Sequence, residues 1–102
     1  MAHEHWQLNG SAPELYERYL VPAITSIWAG DLIDRARPAR SDRVLDIACG
    51  TSAVTRLSAQ RTAGRVVGLD YNRGMLEVAR SVRTTGAAIE WMEGSALSLP
   101  FA

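Results

Sequence analysis

The sequence predicts an α/β domain built on a parallel sheet. Three observations lead to this prediction: short apolar runs typical of strands, amphipathic segments typical of helices, and their order of helix, strand, helix, strand, helix, strand. Strands that alternate with helices in this way pair in parallel through helical crossovers. With 102 residues, of which 47% are apolar, the chain suffices for one small domain.

Two helices are predicted to precede the sheet. Ser11 and Glu14 have the spacing of a capping box, so we expect the first helix to begin there, with Pro22 interrupting it and Pro38 ending the second. Residues 1–40 are assigned to an N-terminal helical lead-in and residues 41–102 to the α/β domain. Apolar residues at helical spacing are expected to be mostly core, namely Leu15, Tyr19, Ile24, Ile27, Trp28 and Leu32.

Three strands and two further helices complete the pattern. The strands are predicted at residues 44–48, 65–69 and 88–92, and the first is expected to be buried on both faces. A helix is predicted from residue 53 to about 62, with Gly64 placed to end it. Asn72 is expected to cap the next helix, whose inward residues are Met75, Leu76, Ala79 and Val82.

Composition excludes several functional classes. All eleven basic residues are arginine and are balanced by eleven acidic ones, so nothing indicates nucleic-acid or membrane binding. Cys49 is the only cysteine, which excludes an internal disulfide and favours a cytoplasmic protein. No apolar run is long enough for a signal peptide or membrane span. His3 and His5 have no third ligand nearby, so no metal site is predicted.

The candidate functional residues begin at the first predicted strand. Residues 44–53 run from the strand into a tight turn of small residues around Gly50 and then into a helix, whose unpaired N–H groups can face a ligand. Asp70 ends the second strand twenty positions beyond Gly50, where its carboxylate can accept hydrogen bonds from ribose hydroxyls. The alternatives are a turn without a ligand and an Asp70 that caps the following helix, or does both.

The turn distinguishes between two kinds of nucleotide-like ligand. A dinucleotide site needs glycines in the pattern G-x-G-x-x-G, whereas the corresponding residues are Ala48, Gly50 and Ala53. Asp46 would also repel a pyrophosphate and suits a ligand with an ammonium or sulfonium group. A nicotinamide-dependent oxidoreductase therefore remains only a second alternative.

With these residues in place, the chain resembles the class I S-adenosylmethionine-dependent methyltransferases over nearly its whole length. It is similar to the ubiquinone and menaquinone biosynthesis (methyltransferase type 11) group. Residues 46–51 resemble the first motif of the family, residues 68–76 the second and residues 93–101 the third, while residues 16–28 resemble its helical lead-in.

The resemblance implies a site for S-adenosylmethionine, whose product is S-adenosylhomocysteine. Asp46, Ala48 and Gly50 would lie along the methionine portion, and Asp70 would hold the ribose hydroxyls. Tyr71 would pack on one adenine face, and Ala96 and Leu97 would meet its edge and other face. The full set of expected binding residues is Asp46, Ala48, Cys49, Gly50, Thr51, Asp70, Tyr71, Met75, Ser95, Ala96 and Leu97.

Two residues depart from the family pattern. Ser52 stands where a glycine is usual, and Ser95 stands where an aspartate usually binds the adenine amino group. A neutral hydroxyl makes a weaker hydrogen bond than a carboxylate, so we expect weaker but not abolished donor binding. No general base is identifiable, and the helical spacing of Tyr16 and Tyr19 favours ordinary packing over a lid on the donor.

The resemblance also implies a Rossmann-like three-layer sandwich that is incomplete, with parallel strands in the order 3-2-1. Right-handed crossovers would put both later helices on one sheet face, leaving the other bare and the first strand at an open edge. The expected function is methyl transfer to a small molecule by the complete domain, of which this chain is the N-terminal half. The alternative is an inactive donor-binding or self-associating fragment, with pairing of first-strand edges or stacking of bare faces.

Overall fold

The computed structural model describes residues 11–82 and 84–101, so His3 and His5 lie outside the described residues. An N-terminal helical arm runs from residue 12 to residue 36 in three consecutive parts. These are α1 (Ala12–Leu15), a π-helical segment (Tyr16–Thr25) and α2 (Ser26–Ala36). The arm ends as expected before Pro38, where Arg37 is left-handed with φ 49° and donates its N–H to the Ile33 carbonyl.

Two local predictions about the arm are wrong. Ser11 precedes the first helix but forms no side-chain cap, so the predicted capping box is not made. Pro22 does not divide the arm into two helices, because it lies inside the π-helical segment. Proline lacks an N–H, and the wider π turn accepts it while the Ser26 N–H bonds to the Val21 carbonyl five residues back.

The predicted core of the arm is also wrong. The arm instead buries Val21, Ala29 and Ile33. Val21 and Ala29 pack with Ala53 of the following helix, because small side chains let the two helices approach closely. The large apolar side chains expected in the core are at least 49% exposed, namely Leu15, Tyr19, Ile24, Ile27, Trp28 and Leu32.

The predicted sheet is confirmed. Strands β1 (Val44–Ile47), β2 (Val66–Asp70) and β3 (Ile89–Glu93) are all parallel, and β2 lies between the other two, which is the predicted order 3-2-1. Helix α3 (Ala53–Arg61) joins β1 to β2, and α4 (Arg73–Ser81) joins β2 to β3. The Asn72 side chain caps α4 by accepting the Met75 N–H at 3.1 Å, as expected.

The end of α3 differs from the prediction. Thr62, which is extended, ends the helix two residues before Gly64. Gly64 is instead required by close packing, because a Cβ at this position would lie 2.2 Å from the Asp42 carbonyl oxygen.

The sheet face away from α3 is only partly bare. The side chain of Asp46 points to α3, so Leu45 and Ile47 point the other way, and they are 37% and 40% exposed, which corrects the prediction of a doubly buried strand. Val67 and Leu69 of β2 share that face in register and are nevertheless buried. The chain after β3 covers them, since Gly94 adjoins Leu69 and Phe101 lines a cavity together with Val67.

No helix in the described ranges 11–82 and 84–101 is long and apolar enough to cross a membrane. The arm packs against α3, which belongs to the α/β part of the chain. The division of the chain into two parts at residue 40 stays a prediction.

Candidate functional site

The carboxyl ends of β1 and β2 meet at the turn that follows β1. There Asp70, the last residue of β2, accepts the Gly50 N–H through Oδ2 at 2.7 Å. Its other oxygen, Oδ1, accepts the Asn72 N–H at 2.7 Å, just before α4. Asp70 therefore joins the two strand ends at the turn and positions Asn72, the residue that caps the next helix, while its binding of ribose hydroxyls stays a prediction.

The turn itself has an unusual backbone, which we call the donor turn (residues 48–52). Ala48 and Gly50 both have φ 58° and Ser52 has φ 84°, so three of five residues are left-handed. Only glycine adopts this region without a steric cost, so Ala48 and Ser52 are strained and must be held by their surroundings. Two bonds contribute: the Cys49 N–H donates to the Leu69 carbonyl and the Ser52 N–H to the Cys49 carbonyl.

Asp46 lies on β1 just before the donor turn, facing α3. Its Oδ2 accepts a hydrogen bond of 2.7 Å from the buried Thr55 hydroxyl in the first turn of that helix. Burial raises the pKa of Asp46, the Thr55 bond lowers it, and the nearby negative charge of Asp70 raises it again. Two carboxylates thus face the same turn, which gives it a negative potential suited to a cationic group.

The Cys49 thiol is buried between these carboxylates. Burial, followed by the charges of Asp46 and Asp70, raises its pKa to about 12. The thiol is therefore neutral at physiological pH, and it is a packing group and not a nucleophile, since reactivity belongs to the thiolate.

A small cavity opens between the donor turn and the helical arm. It has a volume of about 120 Å³, whereas pockets that enclose a whole ligand are roughly 300–1,000 Å³. Thr51 lines it, is 1% exposed, and its hydroxyl has no hydrogen-bond partner among the described residues. The cavity is thus the right size for one polar end of a larger molecule, and the Thr51 hydroxyl keeps an unused hydrogen bond beside it.

Further expected binding residues lie along the same carboxyl edge of the sheet but do not line this cavity. Tyr71 follows β2 and is 38% exposed, and Met75 is in the first turn of α4. Beyond β3, the Ser95 hydroxyl accepts the Leu97 N–H at 3.1 Å, and Leu97 is 98% exposed. A hydroxyl oxygen has a second lone pair, so Ser95 can still accept another bond.

Sequence analysis missed Thr55 beside the donor turn, and it gave a position beside the ligand only as the less favoured alternative for Tyr16. Tyr16 lies beside Gly50 as one wall of the cavity, and its hydroxyl is 3.4 Å from that of Thr25. The favoured interpretation of Tyr16 and Tyr19 as packing residues therefore fails for Tyr19, which is 58% exposed. Thr55 was detectable in principle, because the first turn of a helix after a β–α turn lies beside the end of its strand.

A larger groove of about 520 Å³ lies between α2 and α3. Among the described residues that line it, only Arg56 is charged, and Arg56 is paired with Glu17. Within the described residues, no three histidine, cysteine or acidic side chains are grouped closely enough to hold a metal ion.

Comparison with known proteins shows the family to which the chain belongs. Residues 44–102, more than half of the chain, match a family described as a methyltransferase domain. The chain belongs to this methyltransferase family. The match begins at β1 and includes the donor turn, Asp70 and the segment after β3, which are the three places where the sequence resembled family motifs.

The chain is also similar in sequence to individual methyltransferases. A 2-phytyl-1,4-naphtoquinone methyltransferase of Thermosynechococcus vestitus is 40% identical over 78 residues, covering 74% of this chain and 35% of that protein. A demethylmenaquinone methyltransferase of Symbiobacterium thermophilum is 37% identical over 81 residues, covering 72% of this chain and 32% of that protein.

A solved structure agrees with this assignment. The YcgJ protein of Bacillus subtilis matches with a TM-score of 0.61 and 29% identity, covering 72% of this chain and 32% of that one. The chain therefore spans about a third of the length of these similar proteins.

Proposed function

We propose that the chain forms the donor-binding part of an S-adenosylmethionine-dependent methyltransferase that acts on a small molecule. The observation that carries the proposal is the pair of carboxylates, Asp46 and Asp70, that face the Gly50 turn from neighbouring strand ends. A site with two negative charges and exposed backbone favours a ligand that combines a cationic group with ribose hydroxyls. S-adenosylmethionine has both features.

The roles of the residues follow from their positions. The cavity at the donor turn would take the amino-acid end of the donor, with Asp46 near its ammonium group and the Thr51 hydroxyl toward its carboxylate. Asp70 accepts two N–H bonds, and a carboxylate can accept about four, so it keeps the capacity to bind ribose hydroxyls. Tyr71 would stack on adenine, and the chain from Ser95 to Leu97 would border its edge.

When bound, the donor supplies a methyl group already activated by the sulfonium. The protein's part is then mainly alignment and exclusion of water. The neutral Cys49 thiol and the apolar contacts of the arm keep one side of the donor turn dry. For the acceptor, the names of the two relatives support a naphthoquinone as the first compound to assay.

Calorimetric titration with S-adenosylhomocysteine tests donor binding. We expect Asp70→Asn to weaken binding by about tenfold or more, because hydrogen bonds to a charged acceptor contribute about 1.5–3 kcal/mol. Asp31→Asn is the matched control, since Asp31 lies in α2, away from the donor turn, and pairs with exposed Arg35. Absence of binding by the unaltered protein at millimolar ligand, or equal affinity of both variants, would rule the proposal out.

We also propose that the chain self-associates, either by pairing β1 edges or by stacking the exposed Leu45 and Ile47. The open position of β1 in the sheet and the exposure of these two side chains support this. Light scattering should show a dimer or larger species that Ile47→Glu shifts toward monomer. A well-folded monomer at all concentrations would contradict it. A cytoplasmic location completes the proposal, supported by the single reduced cysteine.

A further inference from the structure

Arg56 connects the donor turn to the helical arm. It lies in the first half of α3 and is 16% exposed. One guanidinium nitrogen, Nη1, donates to the Thr51 carbonyl at 2.6 Å and to the Ser52 hydroxyl at 2.8 Å. The other, Nη2, donates to the Glu17 carboxylate at 3.0 Å. One planar group thus binds the turn on one side and the arm on the other.

The contacts of Arg56 with the donor turn are made at a strained backbone residue, Ser52. Ser52 is fully buried with φ 84°, and it stands where the family pattern has a glycine. Its hydroxyl also donates to the Thr51 carbonyl, so that carbonyl accepts two bonds that fix the orientation of the peptide. A left-handed non-glycine residue costs about 1–3 kcal/mol and persists only when its surroundings determine it.

On the arm, the partner of Arg56 is next to the wall of the cavity. Glu17 directly follows Tyr16, whose ring lies beside Gly50. Arg56 itself is not among the residues that line the cavity beside the donor turn, so it does not reach a ligand bound there. Its effect on that ligand must pass through the turn and through Tyr16.

We propose that Arg56 is a positioning residue, which sets the donor turn and holds Tyr16 beside it through the Glu17 ion pair. The effect on donor affinity rests on the proposed function, whereas the effect on the turn does not. A guanidinium is required because the fork must reach a carbonyl and a carboxylate at once, which a lysine ammonium on one point cannot do equally well.

The test compares Arg56→Met with Arg61→Met. Arg61 lies on the same helix and also pairs with the arm, at Asp34, but far from the turn and with both side chains at least half exposed. In the ligand-free protein, hydrogen exchange at residues 49–53 should become about tenfold faster in Arg56→Met and stay unchanged in Arg61→Met. Equal exchange in the two variants would overturn the proposal, whether or not any donor binds.

A variant in which the charges of Glu17 and Arg56 are exchanged tests whether Arg56 acts on the donor turn or only attaches the arm to α3. Glu17→Arg combined with Arg56→Glu restores an ion pair between arm and helix but not the bonds to Thr51 and Ser52. We expect it to recover part of the thermal stability that Arg56→Glu alone removes, while S-adenosylhomocysteine affinity stays about tenfold below that of the unaltered protein. Recovery of both would show that the arm contact alone matters and would refute a role at the turn.

A milder pair of variants covers the case in which Arg56→Met fails to fold. Arg56→Lys and Glu17→Gln keep most of the packing, and each should accelerate exchange in the donor turn less than Arg56→Met. Turn exchange identical to the unaltered protein in both would contradict the proposal. If the unaltered protein binds no S-adenosylhomocysteine, the proposed function fails and the exchange measurements alone decide the role of Arg56.

Discussion

The helical arm and the donor turn differ in which side chains they bury. The arm carries large apolar side chains, and those of Ile27 and Trp28 are 69% and 68% exposed, while its buried contacts are made by small ones such as Ala29. The donor turn and the start of α3 bury polar side chains almost completely, with Thr51, Ser52 and Thr55 at 1%, 0% and 0% exposure. Size and hydrophobicity thus predict burial poorly in both regions.

The two regions are therefore stabilised by different interactions, the arm by close helix packing and the donor turn mainly by hydrogen bonds. In the arm, burial follows how closely a helix can approach α3, so an alanine is preferred at the contact and a tryptophan is excluded from it. Near the donor turn, the buried hydroxyls of Ser52 and Thr55 are hydrogen-bonded, as buried polar groups usually are, whereas that of Thr51 has no partner among the described residues. Substitutions in the arm should therefore report on packing, and those near the turn on charge and hydrogen bonds.

The largest effect is expected for a pair of isoleucines in one helix. Ile33→Ala should destabilise the protein by about 3 kcal/mol, because Ile33 is 4% exposed and its truncation leaves a cavity. Ile27→Ala should change stability by less than about 0.5 kcal/mol, because its side chain is 69% exposed. Urea unfolding of both variants measures the difference, and similar losses would show that the face expected from the sequence is the buried one.

Two glycines, one in the arm and one between α3 and β2, give the next effect, with opposite signs. Gly64→Ala should cost about 2 kcal/mol, since its Cβ would lie 2.2 Å from the Asp42 carbonyl oxygen, which is backbone and cannot yield cheaply. Gly30→Ala in the arm should stabilise by about 0.5–1 kcal/mol, since its Cβ meets nothing within 4 Å and alanine favours a helix. Melting temperatures that fall in both variants would contradict this contrast.

The sheet could be predicted from sequence because its signals are local. Each strand is a short apolar run, and the family resemblance implied the order 3-2-1. β1 ends one residue earlier than predicted, and β2 and β3 each begin and end one residue later than predicted. The position of Asp70 beside the Gly50 turn could also be predicted, since parallel strands end at one edge of the sheet, but the hydrogen bond between them was not. Periodicity in the arm found a continuous apolar face, but it could not show which face α3 would contact.

The contacts that shape the site were not predictable for a related reason. Arg56 and Glu17 are 39 positions apart, and no local pattern links them. The π-helical turns that admit Pro22 also rotate the following residues relative to a regular helix, which changes the face that each side chain occupies. Long-range polar contacts and helix irregularities depend on the assembled structure, so the sequence alone leaves them open.

The smallest effect is expected at Asp46, where stability and binding should change in opposite directions. Burial raises the pKa of this carboxyl, so the folded protein holds the proton more tightly than the unfolded chain does. Stability from this group is therefore complete below the ordinary pKa of about 4 and is lost as pH rises through the folded pKa. At neutral pH the buried charge is a net cost.

Asp46→Asn removes that charge and keeps an oxygen that can accept the Thr55 hydroxyl bond. We expect the variant to be more stable by about 1 kcal/mol at pH 7 and equal to the unaltered protein near pH 3. Its affinity for S-adenosylhomocysteine should nevertheless fall, since the carboxylate no longer faces the ligand's ammonium group. Urea unfolding at both pH values and calorimetry decide the matter: a variant that gains stability and binds as tightly as before would mean that this carboxylate has no part in holding the donor.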